Sequence, residues 1–153
     1  PDEYVTREQY LKMLILAYDL LDDGAQVSFT DVSPNDWSYP YIASAAKHGI
    51  VKGLPDGSFK RTGNITRQDM AVMACRTLEA AGYQLRFYRE SHNFVDASDI
   101  SDYAVESVEA LWRAAVLNGT GDNMFEPASY ATRAMAAKII YEILMNCERM
   151  DKR

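Results

Sequence analysis

Apolar residues recur along this chain in three stretches that share one spacing. Tyr10, Met13, Leu14, Tyr18 and Leu21 form the first, Met70, Met73, Ala74, Leu78 and Ala81 the second, and Ala136, Ile139, Ile140, Leu144 and Cys147 the third. Separations of i, i+3, i+4, i+8 and i+11 mark one face of an α-helix rather than a strand alternation. Each stretch follows a Thr-Arg pair: Thr6-Arg7, Thr66-Arg67 and Thr132-Arg133. Threonine is a favoured helix N-cap. Gln9 and Asp69 stand three residues after their threonines, the spacing of a capping box, whereas Met135 in the same place leaves Thr132 to cap singly. The chain therefore reads as a repeat protein, whose function belongs to single repeats and to the seams between them.

A second, shorter helical stretch precedes two of these helices. One unit opens at Phe29-Thr30-Asp31-Val32, passes Trp37, runs as a helix to about His48 and continues through Gly49-Ile50-Val51-Lys52-Gly53. Leu54 to Phe59 then carries turn chemistry, with Asp56-Gly57 at its centre. The order returns as Phe94-Val95-Asp96, Tyr103, a helix to about Ala114, Gly119, and Gly121-Asp122-Asn123-Met124-Phe125. Trp37 pairs with Tyr103, Gly53 with Gly119 and Phe59 with Phe125. The predicted fold is all-α, with five helices in helix-loop-helix repeats, long loops and little or no sheet. Residues 1–24 supply the second half of a first repeat, 29–82 a second repeat ending near Gly82, 83–93 a polar and aromatic connector, and 94–147 a third repeat. Together they are expected to form one compact domain. A start partway through a repeat suits a mature or truncated fragment, so it says nothing about export.

At 153 residues the chain can bury one shared core, although a single repeat could not fold alone. A net charge of −6 and an isoelectric point near 4.9, without any Lys/Arg-rich run, exclude a nucleic-acid partner. No apolar run approaches the roughly 18 to 20 residues of a membrane span. Cys75 and Cys147 fall on or beside the apolar stripes and read as small buried hydrophobes. With only His48 and His92, and no zinc-type spacing, neither a metal nor a cofactor is expected. Asp56-Gly57-Ser58 and Gly121-Asp122-Asn123 lack the acidic alternation of a calcium loop. Asp31, Asp36, Asp56, Asp96, Asp102 and Asp122 could in principle pair for glycoside hydrolysis, but no pair stands out and all lie in turns where capping is their usual role. The chain is not expected to be an enzyme.

The arginines are harder to explain as structure. A cation in the first turn opposes the positive end of the helix dipole, yet three repeats tolerate one. Two readings stay open for Arg67. Its guanidinium contacts a carboxylate or phosphate ligand beside the helix start, or it pairs with an aspartate such as Asp31 or Asp96 of a neighbouring repeat. Trp37 and Tyr103 either stack on a ligand's apolar face or anchor their helices. Gly53 and Gly119 either admit a close approach by a ligand or close a helix in the left-handed region.

Phe-x-Asp-Val, Trp37, Gly49-Ile50-x-x-Gly53, Asp56-Gly57-Ser58-Phe59 and Ile65-Thr66-Arg67-Gln68-Asp69 together resemble the S-layer homology domain, over nearly the whole chain. Arg61 stands where that family usually has proline, Tyr103 replaces the tryptophan, and Ala134-Met135 replaces Ala-Glu. The resemblance implies three repeats around a pseudo-threefold axis on a bacterial cell surface or wall. It also implies grooves between repeats that hold a secondary cell-wall polysaccharide attached to peptidoglycan, often bearing a pyruvate ketal. Such a module would anchor without catalysing. Arg7, Arg67 and Arg133 with Thr6, Thr66 and Thr132 occupy the family's motif positions, and Trp37, Gly53 and Gly119 are further expected contacts. The alternative function is a protein-interaction scaffold.

If three repeats close a ring, the missing first half-repeat should expose Met13, Leu14 and Leu21 on the N-terminal helix. An absent segment, a second chain or a retained fragment could cover them. The sequence favours a fourth solution, in which that helix docks on the first helix of the third repeat.

Overall fold

Each Thr-Arg pair starts a helix in the same way. Thr6, Thr66 and Thr132 have nearly identical extended backbones, with φ of −81°, −81° and −84°, and each hydroxyl accepts the N–H three residues on. The computed structural model describes residues 3–151. Among these the chain forms α1 (Arg7–Ala17), α2 (Tyr39–Lys47), α3 (Arg67–Ala81), α4 (Val105–Arg113) and α5 (Arg133–Asn146). Short 3-10 turns at Ala97–Asp99 and Asp102–Ala104 lead into α4. The architecture is all-α. One small exception is an antiparallel pair, β1 (Tyr83–Leu85) with β2 (Cys147–Arg149), in which the start of the connector meets the segment after α5.

Two helices stop earlier than their apolar spacing suggests. Tyr18 caps α1, so Leu21 lies beyond it and is 39% exposed, and Cys147 belongs to β2 rather than α5. Only α3 runs the full stripe, to Ala81, where Gly82 closes it at a φ of 81°.

The three long helices α1, α3 and α5 pack against one another around a common axis. Just before each threonine the chains close a ring: Val5 N–H donates to the Ala131 carbonyl (3.1 Å), Ala131 to Ile65 (2.9 Å) and Ile65 to Val5 (3.0 Å). A second ring joins Arg7 N–H to Gly63, Arg67 to Ser129 and Arg133 to Glu3, each at 2.9 Å. Both rings repeat one contact three times, which is pseudo-threefold symmetry at the level of single hydrogen bonds. Tyr10, Met70 and Ala136, at matching positions one turn into the helices, are all fully buried. Their unequal sizes complement one another, and Tyr10 Oη donates to the Met70 carbonyl at 3.0 Å.

The short helices lie outside this core, α2 on α1 and α4 on α3. This corrects the expected docking of the N-terminal helix on the third repeat. Each short helix packs on the long helix that precedes it in sequence, so α1 is covered by α2. Leu14 is accordingly fully buried and Met13 partly so. The face without a covering helix among the described residues belongs to α5, where Tyr141 and Met145 are each 61% exposed and Leu144 45%. The counterparts of Tyr141 on α1 and α3 are far better covered: Ile15 is fully buried and Cys75 partly.

The Phe-x-Asp motif shapes the loop between the halves of a repeat. Asp31 accepts the N–H groups of Phe59 (2.8 Å) and Arg61 (3.2 Å), and Asp96 those of Phe125 (2.8 Å) and Glu126 (2.7 Å). These bonds turn Phe59 and Phe125 into the core, where both are fully buried. Gly53, at a φ of +78°, sits where a Cβ would lie 2.4 Å from the Phe29 ring, and a Cβ at Gly119 would lie 2.7 Å from the Met124 carbonyl oxygen. Close packing against their own repeats therefore accounts for both glycines. Of the two only Gly53 is left-handed, and it closes no helix, because α2 ends at Lys47 and Gly49 is the left-handed residue after its cap.

Burial would raise the Asp31 and Asp96 carboxyls, but the backbone N–H groups outweigh it and hold both below the ordinary aspartate value. A carboxyl whose pKa is depressed by folding stabilises the fold above its unfolded value and loses that contribution as pH falls through the folded one. Thermal stability should therefore fall steeply on acidification below about pH 4, the ordinary aspartate range. Asp96→Asn should be less stable at neutral pH and show a flatter acid limb in a melting-temperature series.

Candidate ligand grooves between the repeats

The cyclic packing aims the arginine after each threonine at the next long helix. Arg7 reaches α3, Arg67 reaches α5, and Arg133 lies beside α1. Each arginine lines a separate groove, and the residue facing it is the third of the neighbouring helix: Asp69, Met135 or Gln9.

The first groove, about 360 Å³, lies between Arg7, the Gly53 loop, Asp69, Arg76 and Tyr103. Arg7 donates from Nε to the Phe59 carbonyl (2.9 Å), lies over the Phe59 ring, and forms an ion pair with Asp69 through Nη1 (2.8 Å). The other Asp69 oxygen accepts the Tyr103 hydroxyl at 2.6 Å. Burial and that bond push the Tyr103 hydroxyl up to about 12. Asp69 thus does not complete the capping box expected with Thr66, because its carboxylate is turned to the neighbouring repeat. Gln9 completes the box at Thr6, accepting its N–H at 3.0 Å.

The second groove is smaller, about 150 Å³. Arg67 repeats the Arg7 geometry, with Nε donating to the Phe125 carbonyl (2.8 Å) and the guanidinium 4.9 Å from the ring centre. Here Met135 replaces the acid, and Arg67 donates to its sulfur at 3.8 Å and to the Asn118 carbonyl at 3.2 Å. Arg67 is only 5% exposed, and burial lowers its pKa against the opposing fields of Glu126 and Asp96. The suggested direct pair with Asp31 or Asp96 does not form. Backbone carbonyls take its protons instead.

The third groove, about 400 Å³, is lined by Gln9, Lys12, Met13, Trp37 and Arg133 among others. Trp37 is 50% exposed, and Lys12 Nζ lies 5.5 Å from its ring centre. Arg133 is exposed and makes no hydrogen bond or ion pair with another described side chain.

Three of the site threonines are thus helix caps, three arginines each border a groove, and Trp37 and the two glycines border one apiece. Asp69, Arg76, Lys12 and Gln9 were not legible as site residues, because they meet the arginines only through the cyclic order. Four of the six carboxylates weighed for catalysis hold turns instead. Asp31 and Asp96 clamp loops, Asp56 accepts from Ser58, and Asp36 accepts the Ser33 N–H and pairs with Arg61.

The model of the S-layer homology domain matches residues 28–71 and 93–137, more than half of the chain. The chain belongs to the S-layer homology domain family. It is 33% identical over 151 residues to an endoglucanase of Bacillus sp. (strain KSM-635), a match covering 99% of this chain and 16% of the enzyme. It is 30% identical over 143 residues to the S-layer protein sap of Bacillus anthracis, covering 92% of this chain and 17% of that protein. The middle cell wall protein of Brevibacillus brevis is 32% identical over 156 residues, with 98% and 12% covered. The chain spans less than a fifth of each of these relatives. S-layer homology domains are thus carried both by surface-layer and wall proteins and by enzymes of which they form a small part.

The unequal burial of the arginines gives them unequal structural weight. Arg67→Ala should cost about 2 kcal/mol or more, since it removes a buried side chain and leaves the buried Phe125 carbonyl without its partner, whereas exposed Arg133→Ala should cost less than about 0.5 kcal/mol. Urea melts of the two variants beside the wild type read the difference directly.

Proposed function

We propose that this S-layer homology domain is a noncatalytic module that anchors its protein to the bacterial cell wall by binding an acidic secondary cell-wall polysaccharide in the grooves between repeats. The observation that carries this reading is one of charge. In a chain of net −6, the repeat seams hold Arg7, Lys52 and Arg76 in one groove and Lys12 and Arg133 in another, each beside an exposed aromatic ring. A pyruvylated sugar offers the complement, one carboxylate on a ring with an apolar face. Arg7, Arg67 and Arg133 are the cationic positions of the three grooves. Trp37 is a stacking platform, and Gly53 and Gly119 set the height of the adjoining loops. Thr6, Thr66 and Thr132 act by fixing the helix starts. Residues 1–24, 29–82 and 94–147 act as successive repeats around the connector 83–93, in one domain.

Anchoring of this kind predicts that the protein pellets with peptidoglycan sacculi that keep their acidic polymer and stays in the supernatant with sacculi stripped of it. Raising the salt should weaken pelleting, because much of the attraction is between exposed charges. Equal pelleting on both preparations would instead favour a protein-interaction scaffold.

A further inference from the structure

Each of the three grooves sets an arginine at a helix start against the third residue of the neighbouring helix, and that residue differs in all three. In the first groove that residue is Asp69, and its carboxylate already holds Arg7 at 2.8 Å. A carboxylate entering there must displace a like charge from the guanidinium. In the second groove it is Met135, and Arg67 is buried against carbonyls in a space of about 150 Å³. In the third groove it is Gln9, a neutral side chain whose oxygen is turned back to its own cap.

The net charges of the first and third grooves are alike, so charge count does not separate them. Access does. Among the residues lining the third groove none is acidic, and Arg133 and Lys12 flank an indole that is half exposed. In the first groove the corresponding aromatic, Tyr103, has its hydroxyl tied to the same Asp69 that occupies Arg7. Of the three grooves, only the one beside Trp37 offers a carboxylated sugar an exposed arginine that no described side chain holds, next to a half-exposed aromatic ring.

We propose that the groove of Arg133, Lys12 and Trp37 is the primary seat for the carboxylate-bearing sugar, and that the third helix residue, Gln9 against Asp69, determines this preference. The proposal rests on the reading of the module as a binder of acidic wall glycan. The threonine hydroxyl bond of each cap does not depend on which residue stands there, although the Gln9 side chain adds a second bond at Thr6. Thr6, Thr66 and Thr132 bond to the backbone N–H of Gln9, Asp69 and Met135, so the position can change chemistry while the cap remains.

The test is a reciprocal exchange, Gln9→Asp with Asp69→Gln, which leaves the net charge unchanged. The probe is a methyl hexopyranoside bearing a pyruvate ketal, with its methyl ester as the neutral control. Binding is followed by amide and indole NMR signals, and melting temperatures establish that each variant is folded. In the wild type the Trp37 indole signal should shift with the acid and respond much less to the ester. Gln9→Asp alone should weaken binding at Trp37 about fivefold, the size of a new exposed ion pair competing for Arg133. The double exchange should move the response to Gly53 and Tyr103. Wild-type shifts confined to the Gly53 groove, an equal response to acid and ester, or unchanged affinity in folded Gln9→Asp would each overturn the assignment. If the wild type still pellets with polymer-bearing sacculi in any of those cases, the anchoring reading survives. Silence at every groove together with no pelleting would defeat both.

Discussion

Three backbone hydrogen bonds, among Val5, Ile65 and Ala131, hold the repeats in their cyclic order. All three residues are buried, so these peptide groups would have no water to replace a lost partner. The bonds fix the residue before each threonine, and with it the start and direction of a long helix. The arginine that follows is thereby aimed across a seam. The grooves lie beside the helix starts, bordered by the Gly53 loop, the Gly119 loop and Trp37 in turn. The position of the arginines at the seams is thus a consequence of how the ring closes.

The same Thr-Arg pair meets three different surroundings. Arg7 and Arg67 both donate from Nε to a phenylalanine carbonyl and lie over its ring, because the Phe59 and Phe125 loops are placed alike by Asp31 and Asp96. Beyond that shared contact they diverge, Arg7 into an ion pair and Arg67 into backbone carbonyls. Arg133 has no such loop beside it among the described residues and remains exposed. Arg61 is another local divergence. Where the family usually has proline, its guanidinium pairs with Glu8 at 3.1 Å and Asp36 at 3.3 Å. The equivalent seam has Pro127 and the uncharged Gln68, whose amide exchanges hydrogen bonds with Ser101 instead. Charge appears on both sides of one contact and on neither side of the other, so each is balanced internally.

Periodicity was enough to locate the three long helices, and the threonine caps set their first residues. Both follow from interactions within a few residues of sequence. The ends were less legible. Nothing local tells Leu21 or Cys147 that the helix has stopped, and the strand pair that takes Cys147 is made with Tyr83–Leu85, distant in sequence. The covering of α1 was misjudged for the same reason. Repeat boundaries drawn from sequence group α2 with α3, whereas packing groups α2 with α1. Among the site residues, the arginines announced themselves by opposing the helix dipole. Asp69, Gln9 and Lys12 gave no such signal, since each looks ordinary on an exposed helix and gains meaning only opposite an arginine from another repeat.

That asymmetry separates what the fold requires from what the grooves can vary. A capping threonine needs a backbone N–H three residues on, and every residue except proline supplies one. Gln9, Asp69 and Met135 satisfy it equally, with hydroxyl distances of 3.3, 3.3 and 3.2 Å. The threonine hydroxyl bond therefore leaves their side chains unspecified, with only Gln9 also bonding back to its cap, and they border the guanidinium of the adjoining repeat. A substitution there changes the charge, polarity and access of one groove while the threonine hydroxyl bond of the cap remains. A substitution at Val5, Ile65 or Ala131 would disturb all three grooves together. Repeats built this way can keep one architecture while each seam acquires its own ligand preference.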